Sequence, residues 1–300
     1  MRSLAILGTL AGLAGLAGGC SSEPTGDADW MASLPDATSL AALTIPGTHD
    51  SGAIHEPAPG LAQTQKLTFA EQLAAGVRYF DVRCRNFDDQ LLIYHGSIDQ
   101  DQTLDDVLAA MYAFLDAHPR EALIVSVKEE LAAQGGTLTF DQLFAQYVAR
   151  DPARWDLDDA IPSLGDARGK LVLLRRFDAT ATVGIAAPPA VWTDNATFAI
   201  AGPPVLHVED NYIVTDDALK WTAITSLFGE ATSRTDPAAL YLAYTSGYQM
   251  ISGLPNIPSV SDTIDAMLDS YFAAAPTGRY GVVVMDFVTA ARAHAVLSTN

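Results

Sequence analysis

The sequence predicts a single-domain, irregular (β/α)8 barrel of the TIM type, and three observations support this fold class. The chain has 300 residues, of which 49% are hydrophobic, so it can fill the core of one large barrel. Eight short apolar runs are typical of buried parallel strands, and helical patterns lie between most of them. Ionisable side chains close or follow seven of the eight runs, as expected where parallel strands reach the functional face of a barrel.

The strand-like runs give the order of the barrel. In chain order they are 39–45, 78–83, 91–94, 122–128, 171–176, 205–210, 241–245 and 281–286. Only seven residues separate Arg83 from Leu91, which is too few for a crossover helix. We therefore expect the barrel to be irregular at this point.

Helical segments between these runs begin with recognisable capping patterns. Thr68 and Glu71 form a capping-box pattern that opens a helix over 68–76, and Thr103 with Asp106 opens another that ends near 118. Further helices are predicted over 140–149, 216–230, 261–274 and 289–297. The alternation of strands and helices favours a parallel barrel.

The first 20 residues are predicted to be an export signal and not part of the fold. A positive start at Arg2 precedes an apolar stretch over 4–16 that is too short for a comfortable membrane span. Small residues directly before Cys20 resemble a lipoprotein cleavage site, which predicts lipidation of Cys20; an ordinary cleaved signal is the alternative. Residues 21–36 are predicted to be a flexible tether and 37–300 the catalytic barrel. The protein is therefore expected to be exported, either as a membrane-anchored lipoprotein or as a secreted or periplasmic protein.

The charge and the remaining cysteine restrict the possible partners. The net charge is -19 and the pI is near 4.4, so no basic stripe is available for nucleic acid. The same charge disfavours acidic lipid surfaces, so any membrane contact should be apolar and local. Cys84 alternates out of phase with Asp81 and Arg83, which predicts a buried structural thiol.

Two histidines at strand exits are the most informative feature of the chain. His49 follows the first run and His95 the third, while Asp81 and Arg83 share one face of the second run. One imidazole can accept a proton and the other can donate one, while a guanidinium stabilises negative charge between them. This combination indicates acid–base cleavage of a phosphodiester. Lys128, Arg176, Asp210 and Asp286 follow later runs and are expected in the same pocket.

Several separated motifs resemble those of the bacterial phosphatidylinositol-specific phospholipase C family. The resemblance extends from about residue 39 to the C-terminus, and the joint order of the motifs makes it specific. The motifs are Ile45-Pro-Gly-Thr-His-Asp-Ser51, Phe80-Asp-Val-Arg83, His95-Gly96, Ser126-Val-Lys128, Trp192-Thr-Asp-Asn195, Val208-Glu-Asp-Asn-Tyr212 and Met285-Asp286.

The resemblance implies a role for each residue of the acid–base machinery. His49 is implied to be the general base that deprotonates the inositol 2-hydroxyl, and Asp286 to orient it. His95 is implied to be the general acid that protonates the diacylglycerol oxygen, with Asp50 as its partner. The products would be diacylglycerol and inositol 1,2-cyclic phosphate.

The resemblance also implies how charge on the phosphate is stabilised. Arg83 is implied to bind the phosphate oxygens, and Asp81 to position the groups nearby. Calcium-dependent relatives have carboxylates where this chain has Arg83, so the resemblance implies catalysis without a metal ion or other cofactor.

Four further positions match residues that contact the inositol ring in the family, namely Lys128, Arg176, Asp210 and Tyr212. A site that hydrogen-bonds hydroxyl groups rejects headgroups that lack them. The implied partner is a phosphatidylinositol-containing membrane or micelle, contacted peripherally, with no obligate protein partner. Free phosphatidylinositol and glycosyl-phosphatidylinositol anchors both stay open as substrates.

The segment 247–256 is the expected membrane-facing rim. It carries Tyr248, Met250, Ile251 and Leu254, whereas 57–65 contains no tryptophan. An apolar loop tip suits shallow insertion into a bilayer, but a folded loop with buried side chains would have the same composition.

The sequence also bears on two other classes of function. A metal-dependent phosphodiesterase on a related barrel, of the glycerophosphodiesterase or sphingomyelinase D type, would need a carboxylate cluster around its ion, which Arg83 disfavours. A non-catalytic inositol-lipid-binding protein would have no need of His49 and His95 as an acid–base pair.

Overall fold

The computed structural model describes residues 27–233 and 236–300. The strands are β1 (Thr44–Thr48), β2 (Tyr79–Phe87), β3 (Gln90–His95), β4 (Ile98–Thr103), β5 (Leu123–Gln134), β6 (Trp155–Asp156), β7 (Leu171–Arg176), β8 (Ile185–Ala186), β9 (Ala196–Ile200), β10 (Leu206–Asp210), β11 (Leu240–Tyr244), β12 (Gln249–Ile251), β13 (Leu254–Asn256) and β14 (Gly281–Met285). The helices are α1 (Phe69–Ala74), α2 (Leu104–Ala117), α3 (Phe140–Arg150), α4 (Leu164–Ala167), α5 (Asp217–Ser233), α6 (Pro258–Ala274) and α7 (Ala290–Leu297). Short 3₁₀ turns span Trp30–Ser33, Leu40–Ala42 and Pro152–Arg154.

The strands form one curled sheet in the order β6-β7-β5-β2-β1-β14-β11-β10-β9. Neighbours from β6 to β10 are parallel, and β9 pairs with β10 antiparallel. β8 adds a short parallel pairing to β7. Within the described ranges, no pairing joins β9 to the β6–β8 side, so the barrel is open along one seam. This arrangement confirms an irregular barrel.

Alternate residues of the parallel strands face the inside of the curled sheet. Their apolar members form a single buried cluster, which includes Ile45, Tyr79, Ile124, Leu174, Val208, Leu242 and Val284. Residues out of phase with these pack outwards against the helices, as Phe80, Val125 and Val283 do. Because strands from both edges of the sheet contribute to one inner cluster, the sheet wraps around a common interior.

The predicted helices all form. The capping boxes at Thr68–Glu71 and Thr103–Asp106 are both present, with side-chain and backbone bonds in each direction. The two-residue strands β6 and β8 were not predicted, because such short segments carry too little periodicity. The longer strands β4 and β9 were also not predicted.

The third predicted run is not a barrel strand, which corrects the assignment of the eight strands. β3 pairs antiparallel with the end of β2, with Cys84 opposite Ile93 and Phe87 opposite Gln90. β2 is nine residues long and turns back through Asp88 and Asp89, which have φ of 49° and 62°. The eighth parallel strand is instead β6. An apolar run shows that a strand forms but does not show which strand it pairs with.

The barrel domain begins earlier than the predicted boundary at residue 37. The export signal, Cys20 and residues 21–26 lie outside the described residues. The described part of the predicted tether packs on the barrel: Met31 is buried, and Trp30 Nε1 donates to the carbonyl of Gly76 at 3.1 Å. The buried guanidinium of Arg78 donates to the carbonyl of Ala28 at 2.7 Å. A buried arginine needs such acceptors, which is why this segment is ordered against the sheet.

The structure also bears on the remaining cysteine and on membrane-spanning helices. Cys84 is buried among apolar side chains, as predicted, and burial raises the pKa of its thiol. None of the helices in the described part of the chain is long and apolar enough to cross a lipid bilayer.

Candidate active site

A cavity of about 410 Å³ opens at the carboxyl ends of the parallel strands. Eight of the ten residues predicted for catalysis or substrate binding line it: His49, Arg83, His95, Lys128, Arg176, Asp210, Tyr212 and Asp286. The other two, Asp50 and Asp81, are buried beside it. The side chains from the parallel strands follow the apolar residues of the inner cluster at intervals of two, so the inward phase of each strand brings them together. His95 instead reaches the cavity from the end of β3, which lies outside the parallel barrel.

His49 and Asp286 form a buried pair at the ends of the neighbouring strands β1 and β14. His49 Nδ1 lies 2.8 Å from Asp286 Oδ1. Nδ1 donates to the carboxylate, so Nε2 carries the lone pair and can act as a base. Burial lowers the pKa of His49 to about 3, and the charge of Arg83 acts in the same direction. Burial also raises the pKa of Asp286 to about 7. The imidazole is therefore held neutral.

His95 faces His49 across the cavity, with 6.5 Å between the ring centroids and an angle of 84° between the planes. Its Nδ1 donates to the main-chain carbonyl of Ala62 at 2.6 Å, which leaves Nε2 for a ligand. Asp50, the partner implied by the family resemblance, lies 3.9 Å from Nδ1. This distance is too long for a hydrogen bond, so the Ala62 carbonyl, and not Asp50, sets the tautomer of His95.

Arg83 is held among three carboxylates. Its Nε donates to Asp81 at 2.9 Å, and its Nη1 lies 3.6 Å from Asp50 and 3.7 Å from Glu130. Burial alone would lower the pKa of Arg83, but these carboxylates outweigh burial and raise it well above its usual value. Arg83 is therefore a permanent, fixed cation in the cavity that the two histidines line.

Asp81 orients two guanidinium groups from below the cavity. One oxygen accepts from Arg83, and the other lies 3.2 Å from Nη1 of Arg176. Burial opposes ionisation of Asp81, but the two arginines outweigh it and lower its pKa. The role implied for Asp81, which is positioning of its neighbours, agrees with this geometry.

Glu130 belongs to the site although the sequence analysis did not predict it. It lies 2.6 Å from Nζ of Lys128 and accepts the main-chain N–H of Gly96 at 2.9 Å. Burial alone would raise the pKa of Glu130, but Arg83 and Lys128 outweigh burial and lower it. The period of two along β5 continues from Ser126 and Lys128 to Glu130, so strand phase could have identified it.

One wall of the cavity is built from stacked side chains. The guanidinium carbon of Arg176 lies 3.6 Å from the ring centroid of Trp192. Trp192 Nε1 donates to Asp210 at 2.9 Å, and Arg176 Nη1 lies 3.3 Å from the hydroxyl of Tyr244. Tyr244, also missed, is the last inward residue of β11 and is buried beneath the cavity.

Tyr212 contributes an aromatic face near the mouth. Its hydroxyl donates to Asp194 at 2.6 Å, and its ring centroid lies 6.0 Å from that of Tyr248. Both tyrosines line the cavity. An aromatic face can pack on the apolar face of a sugar-like ring.

The arrangement combines a neutral base, a second imidazole and three cations in one pocket. Such a pocket suits an anionic ester that also carries hydroxyl groups. The described residues contain no cluster of three or more histidine, cysteine or acidic side chains with the geometry of a metal site.

Exposed apolar side chains surround the mouth. Met250, Ile251 and Leu254, on the β12–β13 hairpin, are 55%, 49% and 63% exposed. The alternative in which these side chains are buried in a folded loop is therefore wrong. Ile213, on the connection after β10, and Leu219, in the first turn of α5, are also exposed. These connections follow the carboxyl ends of strands, so the apolar surface lies on the face that carries the cavity.

Comparison with known proteins assigns the chain to a family. Residues 44–177 match the model of the phosphatidylinositol-specific phospholipase C X domain. A 1-phosphatidylinositol phosphodiesterase from Listeria monocytogenes is 40% identical over 157 residues, which cover 48% of this chain and 47% of that protein. The chain thus matches about half the length of this relative. The Staphylococcus aureus (strain Newman) enzyme of the same name is 28% identical over 274 residues, covering 86% of this chain and 88% of that protein. The chain belongs to the bacterial phosphatidylinositol-specific phospholipase C family.

The fold of this phospholipase C family member agrees with that of solved relatives. A structure of the S. aureus phosphatidylinositol-specific phospholipase C, from work on the modulation of its membrane binding, superposes with a TM-score of 0.83. The two are 25% identical, and the match covers 92% of this chain and 98% of that one. The α/β barrel predicted from the sequence is confirmed.

Proposed function

We propose that this protein is a phosphatidylinositol-specific phospholipase C that converts phosphatidylinositol to diacylglycerol and inositol 1,2-cyclic phosphate. One observation carries the proposal: His49, backed by Asp286, faces His95 across a cavity in which Arg83 is a fixed cation. A base, an acid and a fixed cation are the groups that are needed to move a proton from one oxygen to another across a phosphate group.

The reaction assigns each imidazole one proton transfer. Nε2 of His49 takes the proton of the inositol 2-hydroxyl while that oxygen bonds to phosphorus. The bond from phosphorus to the glycerol oxygen then breaks, and protonated His95 gives its Nε2 proton to the leaving oxygen. Arg83 binds the phosphate oxygens, where negative charge increases in the transition state. Asp286 stabilises the His49 imidazolium that forms.

Headgroup selectivity is proposed to come from Lys128, Arg176, Asp210 and Tyr212. Three of these present charged groups to the cavity, and the fourth an aromatic face. When substrate binding removes water from these charged groups, they need new hydrogen-bond partners, and the hydroxyl groups of the inositol ring supply them. Choline and ethanolamine lipids offer no such partners and should be poor substrates. The same inositol phosphodiester occurs in glycosyl-phosphatidylinositol anchors, which are a second candidate substrate.

Catalysis is proposed to need no metal ion or other cofactor. Arg83 already places a positive charge in the cavity, beside Asp50, Asp81 and Glu130. These carboxylates neutralise the guanidinium, and the guanidinium would repel a divalent cation from them.

The apolar surface around the mouth is proposed to contact the lipid surface. Shallow insertion of Met250, Ile251 and Leu254 would bring the cavity to the level of the headgroups. We also propose that the first 20 residues are an export signal and that Cys20 is lipidated. A lipid anchor at Cys20 would keep the enzyme at a membrane.

Phosphorus NMR of phosphatidylinositol in mixed micelles tests the proposed function. We expect the signal of inositol 1,2-cyclic phosphate from the wild type and none from His49→Ala. His118→Ala is the matched control, because His118 is a surface residue paired with Asp29. Phosphatidic acid as the main product, or phosphocholine as the main product when the micelles also contain phosphatidylcholine, would overturn the assignment. Binding of the lipid without any cleavage would favour the non-catalytic alternative.

A further inference from the structure

The catalytic pair sits just beyond the last paired residues of two strands. The ladder between β1 and β14 ends with Thr48 opposite Met285. His49 and Asp286 are the next residues along each strand. One main-chain bond continues beyond the ladder, because the N–H of His49 donates to the carbonyl of Met285 at 2.9 Å. The pairing does not extend to Asp286.

A buried glutamine from another segment continues the connection at this point. Gln65 has no exposed surface. Its Nε2 donates to the main-chain carbonyls of His49, at 3.0 Å, and Met285, at 2.8 Å. Its Oε1 accepts the main-chain N–H of Val288 at 3.2 Å. One amide thus contacts the base residue itself and the backbone on both sides of Asp286.

The partners fix the orientation of this amide. Carbonyl oxygens only accept hydrogen bonds and an N–H only donates, so the NH2 group must face the two carbonyls and Oε1 must face Val288. The backbone around Gln65 is also held: its N–H donates to the carbonyl of Ala53 at 3.1 Å, and the carbonyl of Thr64 accepts from Phe287 at 2.7 Å. Rotation of the amide would break all three of its bonds at once.

We propose that Gln65 is a positioning residue that aligns the imidazole of His49 with the carboxylate of Asp286. The Gln65 amide binds both the carbonyl of His49 and the backbone on either side of Asp286. These bonds hold the two backbones in place and thereby set the 2.8 Å distance between His49 Nδ1 and Asp286 Oδ1. The effect of Gln65 on turnover rests on the proposed function, whereas its effect on the alignment of the pair does not.

Gln65→Met tests the inference, because methionine has a similar length and cannot form the three bonds. We expect kcat on phosphatidylinositol to fall by about tenfold to a hundredfold, the range associated with small misplacements of catalytic groups. KM should stay within about twofold, because the lost alignment acts on the transition state and not on ground-state binding. The matched control is Gln100→Met, since Gln100 is a buried glutamine that accepts the N–H of His55 outside the pair.

A second readout needs no substrate. In protein labelled with ¹⁵N-histidine, the Nδ1–H proton of His49 reports its bond to Asp286, and His49→Ala assigns the signal. We expect this signal to shift or broaden in Gln65→Met and to stay unchanged in Gln100→Met. If Gln65→Met does not fold, Gln65→Asn replaces it, because the shorter amide cannot reach both carbonyls.

Two results would overturn the inference. One is a Gln65 variant with the kcat of the wild type. The other is a loss of activity that matches the unfolded fraction while the His49 signal of the folded protein is unchanged. If the wild type does not cleave phosphatidylinositol, the proposed function fails, and the NMR signal still decides whether Gln65 aligns the pair.

Discussion

The guanidinium of Arg176 stacks on the indole of Trp192, with 3.6 Å between the guanidinium carbon and the ring centroid. The same indole donates its N–H to Asp210 at 2.9 Å. Trp192 therefore positions two side chains of the proposed inositol-binding wall, one through its face and one through its edge.

Replacing Trp192 should weaken substrate binding more than turnover. Desolvated cation–π contacts contribute about 1 to 2 kcal/mol, which corresponds to a rise in KM of about fivefold to thirtyfold. We expect this rise for Trp192→Leu in steady-state assays on mixed micelles. Trp192→Phe keeps a ring but loses the N–H, so it should show a smaller rise. An unchanged KM in both variants would contradict the role of the stack.

The pH dependence of turnover should follow Asp286. Burial raises the pKa of this carboxyl to about 7. As the pH falls through this value, Asp286 gains a proton and no longer stabilises the His49 imidazolium, so kcat should fall on the acid side. Measurement of kcat from pH 5 to pH 9 checks this. Asp286→Asn should be slow at every pH, and its kcat should not fall further on the acid side. If kcat of the variant falls over the same pH range as that of the wild type, another group causes the fall.

The stability of the protein should depend on a buried ion pair at the end of the barrel opposite the cavity. Arg78 Nε lies 2.8 Å from Glu121, and both side chains are buried. Arg78→Met would leave the carboxylate without its partner, which costs about 3 to 5 kcal/mol of the free energy of unfolding. Urea denaturation measures the loss. Arg78→Met/Glu121→Gln should recover part of it, and activity per folded molecule should stay close to that of the wild type.

The apolar hairpin should matter for lipid surfaces and not for soluble substrate. Ser substitutions of Met250, Ile251 and Leu254 together remove most of its exposed apolar surface. We expect weaker binding to phosphatidylinositol-containing vesicles and slower cleavage there, because apolar burial drives such binding. Hydrolysis of water-soluble inositol 1,2-cyclic phosphate should be unaffected. Equal losses on both substrates would instead indicate a damaged cavity.

Removal of metal ions should leave activity intact. Arg83 is proposed to supply the positive charge that calcium supplies in metal-dependent relatives. We expect the same rate of phosphatidylinositol cleavage before and after dialysis against EDTA. A loss of activity that calcium restores would refute metal independence and favour the metal-dependent alternative.

Much of the site could be predicted because side chains alternate along a strand. His49, Asp81, Arg83, Lys128 and Arg176 each continue the inward phase of an apolar run, and the barrel brings their ends together. The same rule extends to Glu130, which was overlooked because it lies one further step along an unusually long strand.

Strand partners were harder to predict than strand positions, although the first strand was predicted too early. The run at 39–45 contains a 3₁₀ turn at Leu40–Ala42, and the strand itself spans Thr44–Thr48. The run at 91–94 does form a strand, but it pairs back onto β2 and does not join the parallel barrel. The start of the domain was also placed too late, because the acceptors that Arg78 needs are main-chain carbonyls, which no residue pattern reveals.

The sequence by itself determined the barrel class, the two histidines and the arginine between them, because each depends on residue type and local period. The family resemblance added the carboxylate behind His49. Only the tertiary structure decided which groups support them. The carbonyl of Ala62 sets the tautomer of His95, and the amide of Gln65 joins the backbones of His49 and Met285. These contacts link segments far apart along the chain, and a backbone carbonyl has the same chemistry at every residue, so folding alone brings the right one into place.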